Sequence, residues 1–129
     1  MTELNEDSVC LLATVTGINA KTVAVTALYT APAGKTFIPD HIVIRVTAFT
    51  AGGKGVQVIA SFGGNAATYD DYLNSVTYTV AAADVFIRDS AEDAAVAIQA
   101  AGDVFSMAIE TGSDATTETW AVHVFGHLI

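Results

Sequence analysis

The stretch Tyr29–Phe49, YTAPAGKTFIPDHIVIRVTAF, decides how the rest of the chain is read. In its second half Ile42, Ile44, Val46 and Ala48 alternate with His41, Val43, Arg45 and Thr47, the period of a strand with one buried face. Ahead of it, Pro32-Ala33-Gly34-Lys35 separates two β-rich runs. Pro32 fixes φ and Gly34 can take φ > 0, so the segment reads as strand, turn, strand.

The flanking sequence repeats that pattern. Val9–Thr16 predicts a first strand, broken at Gly17-Ile18-Asn19-Ala20, and Thr22–Thr30 a second, with Val23, Val25, Ala27 and Tyr29 on one face. Gly52-Gly53-Lys54-Gly55 predicts a hairpin reversal into a strand over Val56–Phe62. Asn65–Ser75 is too polar to continue a sheet, and Thr68 is placed to cap one helical turn through Asp70 and Asp71. Strands follow at Val76–Val80 and Val85–Arg88. Ser90–Ala101 reads either as a helix capped by Ser90 or as a strand over Ala95–Ala100; the strand is preferred because Val104–Glu110 is then its hairpin partner across Gly102-Asp103. Glu118–Ile129 closes the chain as a long strand. About eight short strands with glycine-rich or polar connections and no helical period predict an all-β, antiparallel β-sandwich, of jelly-roll type in preference to an immunoglobulin-like one, whose Cys, Trp, Cys arrangement is absent.

The composition bounds the rest. A chain of 129 residues implies one domain, here residues 9–129, preceded by a flexible acidic arm at residues 1–8. Fourteen acids against five lysines and arginines give a formal charge of −9, which opposes binding to a phosphate backbone, so nucleic acid is not an expected partner. No apolar run approaches the ~20 residues that span a bilayer, and no membrane role is expected. Only 15% of residues are charged while 52% are hydrophobic, which predicts surface covered by an oligomer partner or a docking surface. The acidic start lacks the basic and apolar segments of a signal peptide, consistent with synthesis in a cytoplasm.

The candidate chemistry fails on spacing. Ala33-Gly34-Lys35-Thr36 contains a GKT, but Tyr29 stands where a phosphate-binding loop needs glycine, and a strand follows where a helix is required. His123 and His127 would share a strand face about 13 Å apart, too far for one metal. Asp70 and Asp71, with Asn65 and Asn74, lack the spacing of a calcium loop. Asp84, Asp89, Glu92 and Asp93 lie in an uncertain loop without an aromatic platform for a sugar. There is no G-x-S-x-G, and Cys10 reads as a small hydrophobe in an apolar strand. No catalytic, cofactor or metal residue is assigned, and no enzymatic activity is expected.

The YTAPAGKTFIPDHIVIRV stretch, the SFGGNAATYDDYL segment and the terminal WAVHVFGHLI resemble small phage virion proteins of jelly-roll type, the decoration or cement proteins that stud capsids. The resemblance implies a structural subunit, a homotrimer, docked on the outer surface of a capsid lattice of major capsid protein. Its location would be the virion. Leu4, Val9, Leu11, His41, Tyr69, Tyr72 and Trp120 are the candidate interface residues. A reading from another class is a carbohydrate- or receptor-binding sandwich of a tail or surface protein, with Asp70, Asp71, Tyr69 and Tyr72 at its loop.

Overall fold

Apolar alternation along short runs sets every element that places the surface described below. The structure is a computed structural model that describes residues 9–53, 57–91 and 99–129. Among these there are eight strands: β1 Cys10–Asn19, β2 Val25–Thr30, β3 Phe37–Thr50, β4 Gln57–Gly63, β5 Leu73–Thr79, β6 Phe86–Asp89, β7 Val104–Thr111 and β8 Thr117–Leu128. No helix of the described residues is long and apolar enough to cross a membrane.

The strands form two four-stranded antiparallel sheets, the first in the order β1-β8-β3-β6 and the second β2-β7-β4-β5. The pairings β1 with β8, β2 with β7, β3 with β6 and β4 with β5 are those of one long hairpin folded at the β4–β5 connection. Rolling that ribbon brings β8 beside β3 and β7 beside β4, which completes both sheets in a jelly-roll connectivity. The antiparallel sandwich expected from the sequence is therefore present.

Between the sheets, the alternation in β3 delivers Ile42, Ile44 and Val46 to the interior, and β8 delivers Trp120, Val122 and Val124. Edge-to-face aromatic contacts run the length of this core. Tyr29 meets Phe37 at 5.1 Å, Phe37 meets Phe105 at 5.5 Å, and Tyr78 meets Trp120 at 6.0 Å between ring centres. Two tyrosine hydroxyls stitch the sheets together: Tyr72 donates to the Asp40 carbonyl and Tyr78 to the Asp89 carboxylate, each at 2.8 Å. Burial, joined by the adjacent Asp89 charge, pushes the Tyr78 hydroxyl far up, so it stays a donor. Where β8 crosses β3 at Gly126, the Phe37 ring and the Ile38 backbone lie too close for any side chain.

Several local expectations are corrected. Gly17 does not end the first strand; at φ +69° it sits in an irregularity between Val15 and Ile18, and β1 runs on to Asn19. β2 starts at Val25, and a register shift between Ala27 and Tyr29 separates the predicted face. Val25 and Ala27 pair with the outward Ala108 and Ser106, whereas Tyr29 pairs with the inward Phe105. The predicted hairpin after β3 is a crossing between sheets, since β3 belongs to the first sheet and β4 to the second. β7 is hydrogen-bonded to β2 on one side and β4 on the other, and Gln99 bridges to Phe37. The helix-or-strand alternatives for that segment fall on residues 92–98, and the acidic arm on residues 1–8, both outside the described residues.

A candidate docking face on the first sheet

The parity that sends Trp120, Val122 and Val124 inward sends Ala121, His123, Phe125 and His127 of β8 to the outer side of the first sheet. Cross-strand register then composes this face in rows, because residues directly opposite share a side of the sheet. Leu11 of β1, Phe125 of β8 and His41 of β3 form one row. Thr14, His123, Val43 and Arg88 form the next, followed by Ala121, Arg45 and Phe86.

Contacts within the rows are specific. The His41 ring stacks on Phe125 at 4.4 Å with the planes 8° apart, and its Nδ1 lies 2.7 Å from the Asp40 carboxylate. Thr14 Oγ1 and His123 Nδ1 are hydrogen-bonded at 2.9 Å. Arg45 lies over the Phe86 ring at 5.6 Å and reaches Asp84 at 3.3 Å, while Arg88 reaches Asp40 at 4.0 Å. These ion pairs are solvent-exposed and contribute little to stability. Phe86 is 62% exposed and Leu11 52% exposed, large apolar groups bordering cationic ones. Both arginines and all three histidines of the chain sit on this face or its rim, in a protein of formal charge −9.

The predicted interface residues divide. Leu11 and His41 are brought together here, either side of Phe125, and Val9, 47% exposed, immediately precedes β1. Tyr69 is half-buried in the loop between β4 and β5. Tyr72 and Trp120 are corrected. Tyr72 is buried with its hydroxyl spent on Asp40, and Trp120 is wholly enclosed, its Nε1 donating to Glu118 Oε2 at 2.7 Å. Leu4 lies outside the described residues. Sequence reasoning noted Arg45 beside His41 but missed Phe86, Phe125, Arg88 and His123 as its neighbours. The parity of β8 held the signal for two of these.

Other candidate sites close up on inspection. In the β4–β5 loop the Asn65 side chain accepts from the Asp70 and Asp71 amides at 2.8 and 3.1 Å and donates to Asp70 Oδ1 at 2.7 Å. Gly64 N–H donates to Asp71 at 2.9 Å, and Thr68 hydrogen-bonds Asp70 rather than capping a helical turn. Hydrogen bonds from Asn65 and Thr68 hold the Asp70 carboxyl below its usual range. The two carboxylates are thus consumed in folding their own loop. Among the described residues no group of three or more His, Cys, Asp or Glu side chains could hold a metal ion. The GKT segment is a turn, with Lys35 N–H donating to the Pro32 carbonyl at 3.1 Å and Gly34 at φ +77°. Cys10 is exposed rather than buried. An open cleft of about 230 Å³ between Gln57, Ile59, Thr111, Gly112 and Asp114 gathers no catalytic set.

No family model matches the chain, and no curated protein matches it in sequence. Among solved structures, the fold is similar to a chain of the cyanophage Pam1 capsid asymmetric unit, with a TM-score of 0.57 and 9% identity over 95% of this chain and 86% of that one. It is also similar to a chain in the acidic stable capsid structure of Helicobacter pylori bacteriophage KHP30, with a TM-score of 0.55 and 13% identity over 95% of this chain and 96% of that one. At such identities what is shared is the β-sandwich itself, over nearly the whole chain.

Proposed function

We propose that the protein is a structural, non-enzymatic component of a phage virion, a decoration or cement subunit that docks as a homotrimer on the outer surface of a lattice of major capsid protein. The observation that carries this reading is the fold similarity, across 95% of the chain, to chains from two phage capsid structures. The outer side of the first sheet supports it, because arginines beside an exposed aromatic group are the composition of a protein contact. The glycan-binding alternative draws less support: Tyr72 is turned into the core and Asp70 and Asp71 are occupied by their own loop.

The test is co-sedimentation of the purified protein with capsid-like particles of its own source, with and without residues 1–8, followed by imaging of the decorated particles. Saturable binding at symmetry-related sites is the expected result. Absence of binding by the full chain to both empty and filled particles overturns the reading.

A further inference from the structure

We propose that the outer face of the first sheet is the receptor for the acidic N-terminal segment, residues 1–8, of a neighbouring copy of this chain. The charge distribution is the starting point. Residues 1–8, MTELNEDS, carry Glu3, Glu6 and Asp7 and no lysine or arginine. The face formed by β3, β6 and β8 gathers both arginines and all three histidines of the chain. Asp84 and Asp40 already pair with the two arginines, which leaves the face close to neutral in a protein of formal charge −9, so this is where an acidic strand of the same chain meets the least repulsion.

Geometry fits the same assignment. β1 is the edge strand of this sheet, and its first residues lie beside the face, with Leu11 opposite Phe125. Eight extended residues reach about 26 Å. The sheet from β1 to β6 is three strand spacings wide, about 14 Å. A segment attached at that rim can therefore span the whole face of an adjacent sandwich. Phe86, Leu11 and Phe125 give Leu4 and Met1 of the segment apolar surface to cover, and Arg45 and Arg88 remain exposed with N–H donors to spare for its carboxylates. Because the donor segment and the receiving face are different parts of one chain, the contact is head-to-tail, and repetition about a rotation axis closes it into a ring.

This contact gives the face that the proposed function reads as a protein contact a second copy of the chain as its occupant. Association is measured without particles, so a monomer that still binds particles defeats this contact and leaves capsid docking standing. The experiment is light scattering of the full-length chain over a concentration series, compared with two full-length variants, E3K/E6K/D7K and R45E/R88E. The wild type is expected to associate, and raised salt to weaken it. Each variant alone is expected to associate at least roughly tenfold more weakly, since exposed ion pairs are each replaced by like-charge contacts. An equimolar mixture of the two is expected to associate again, because the acidic segment of one then faces the arginines of the other and the lysine segment faces the introduced glutamates. Phe86→Ser serves as a charge-neutral second probe of the face and should weaken association without altering the circular dichroism of the fold. A wild type that stays monomeric, variants that associate as the wild type does, or a mixture that stays apart overturns the proposal.

Discussion

The two sheets bury the same kind of core but present opposite outer surfaces. On the first, Leu11, His41, Arg45, Phe86, Arg88 and Phe125 stand out as large side chains with exposed apolar area and hydrogen-bonding capacity in reserve. On the second, the rows read Val25, Ala108, Ser61 and Ala27, Ser106, Gly63, uncharged and, apart from Val25, which is 53% exposed, very small. Ser61 and Ser106 are buried although they point away from the core. Polar capacity there is consumed internally: Ser61 Oγ donates to Glu110 at 2.8 Å and accepts from Ser75 N–H at 2.8 Å, while Ser75 Oγ donates to Glu110 at 2.7 Å. One face is completed by its own chain; the other is left able to recognise something else.

That contrast yields predictions graded by size. The largest effect belongs to the layer under both faces. Trp120→Ala should cost about 3–5 kcal/mol in urea denaturation, as enclosed aromatics do, and a loss under 1 kcal/mol would mean that Trp120 is not the shared floor described here. Next, Ser61→Ala should cost roughly 1–2 kcal/mol, because it strands the Ser75 N–H and removes a donor from Glu110. If stability is unchanged, the second sheet's outer face is not locked as described. Smallest of all, Phe86→Ala and Arg45→Ser should each shift stability by no more than about 0.5 kcal/mol. Losses of several kcal/mol there would turn the first sheet's outer face into a structural one.

A pH series separates what the interior contributes from what the face contributes. Glu118 points inward beside Trp120, is 1% exposed, and its Oε1 has no hydrogen-bond partner of good geometry among the described residues. Desolvation raises its carboxyl above the ordinary value, offset in part by Ser113, Trp120 and the Lys21 charge. The folded state then holds a proton that the unfolded state has released. Stability contributed by this group is complete below the ordinary carboxylate range and falls as pH rises through the raised value. Glu118→Gln keeps an acceptor for the indole N–H and should remove that part of the slope in denaturation midpoints measured from acid to neutral pH. An identical slope in the variant would assign the pH dependence elsewhere.

Strand positions were largely legible because burial imposes parity locally. Ile42, Ile44 and Val46 could be assigned to one side from their own neighbours, and β3 bears this out. Partner choice was not. A glycine-rich connection such as Gly52-Gly53 has the same composition whether the chain turns back within a sheet or crosses to the other one, so a hairpin was expected where β3 leaves its sheet. The docking face was half visible for the same reason. His41 and Arg45 share a strand, but Leu11, Phe125 and Phe86 join them only through pairing with β1, β8 and β6, which no single strand encodes. For Trp120, read as a candidate interface residue, the parity that puts His123 outside puts its ring inside.

The position of β8 bears on how the protein is made. β8 is an inner strand of the first sheet, between β1 and β3, yet it follows the other seven described strands of the sandwich in chain order. Until it is in place, β1 lacks its partner and β3 has only the four-residue β6 beside it, leaving Ile42, Ile44 and Val46 without their cover. Closing it requires contacts such as Thr14 with His123, 109 residues apart, and topologies of that kind fold slowly and are sticky on the way. The yield of soluble protein should therefore be governed by the interval between translation and closure of β8, and slower growth at low temperature or added chaperone should raise it more than any stabilising substitution.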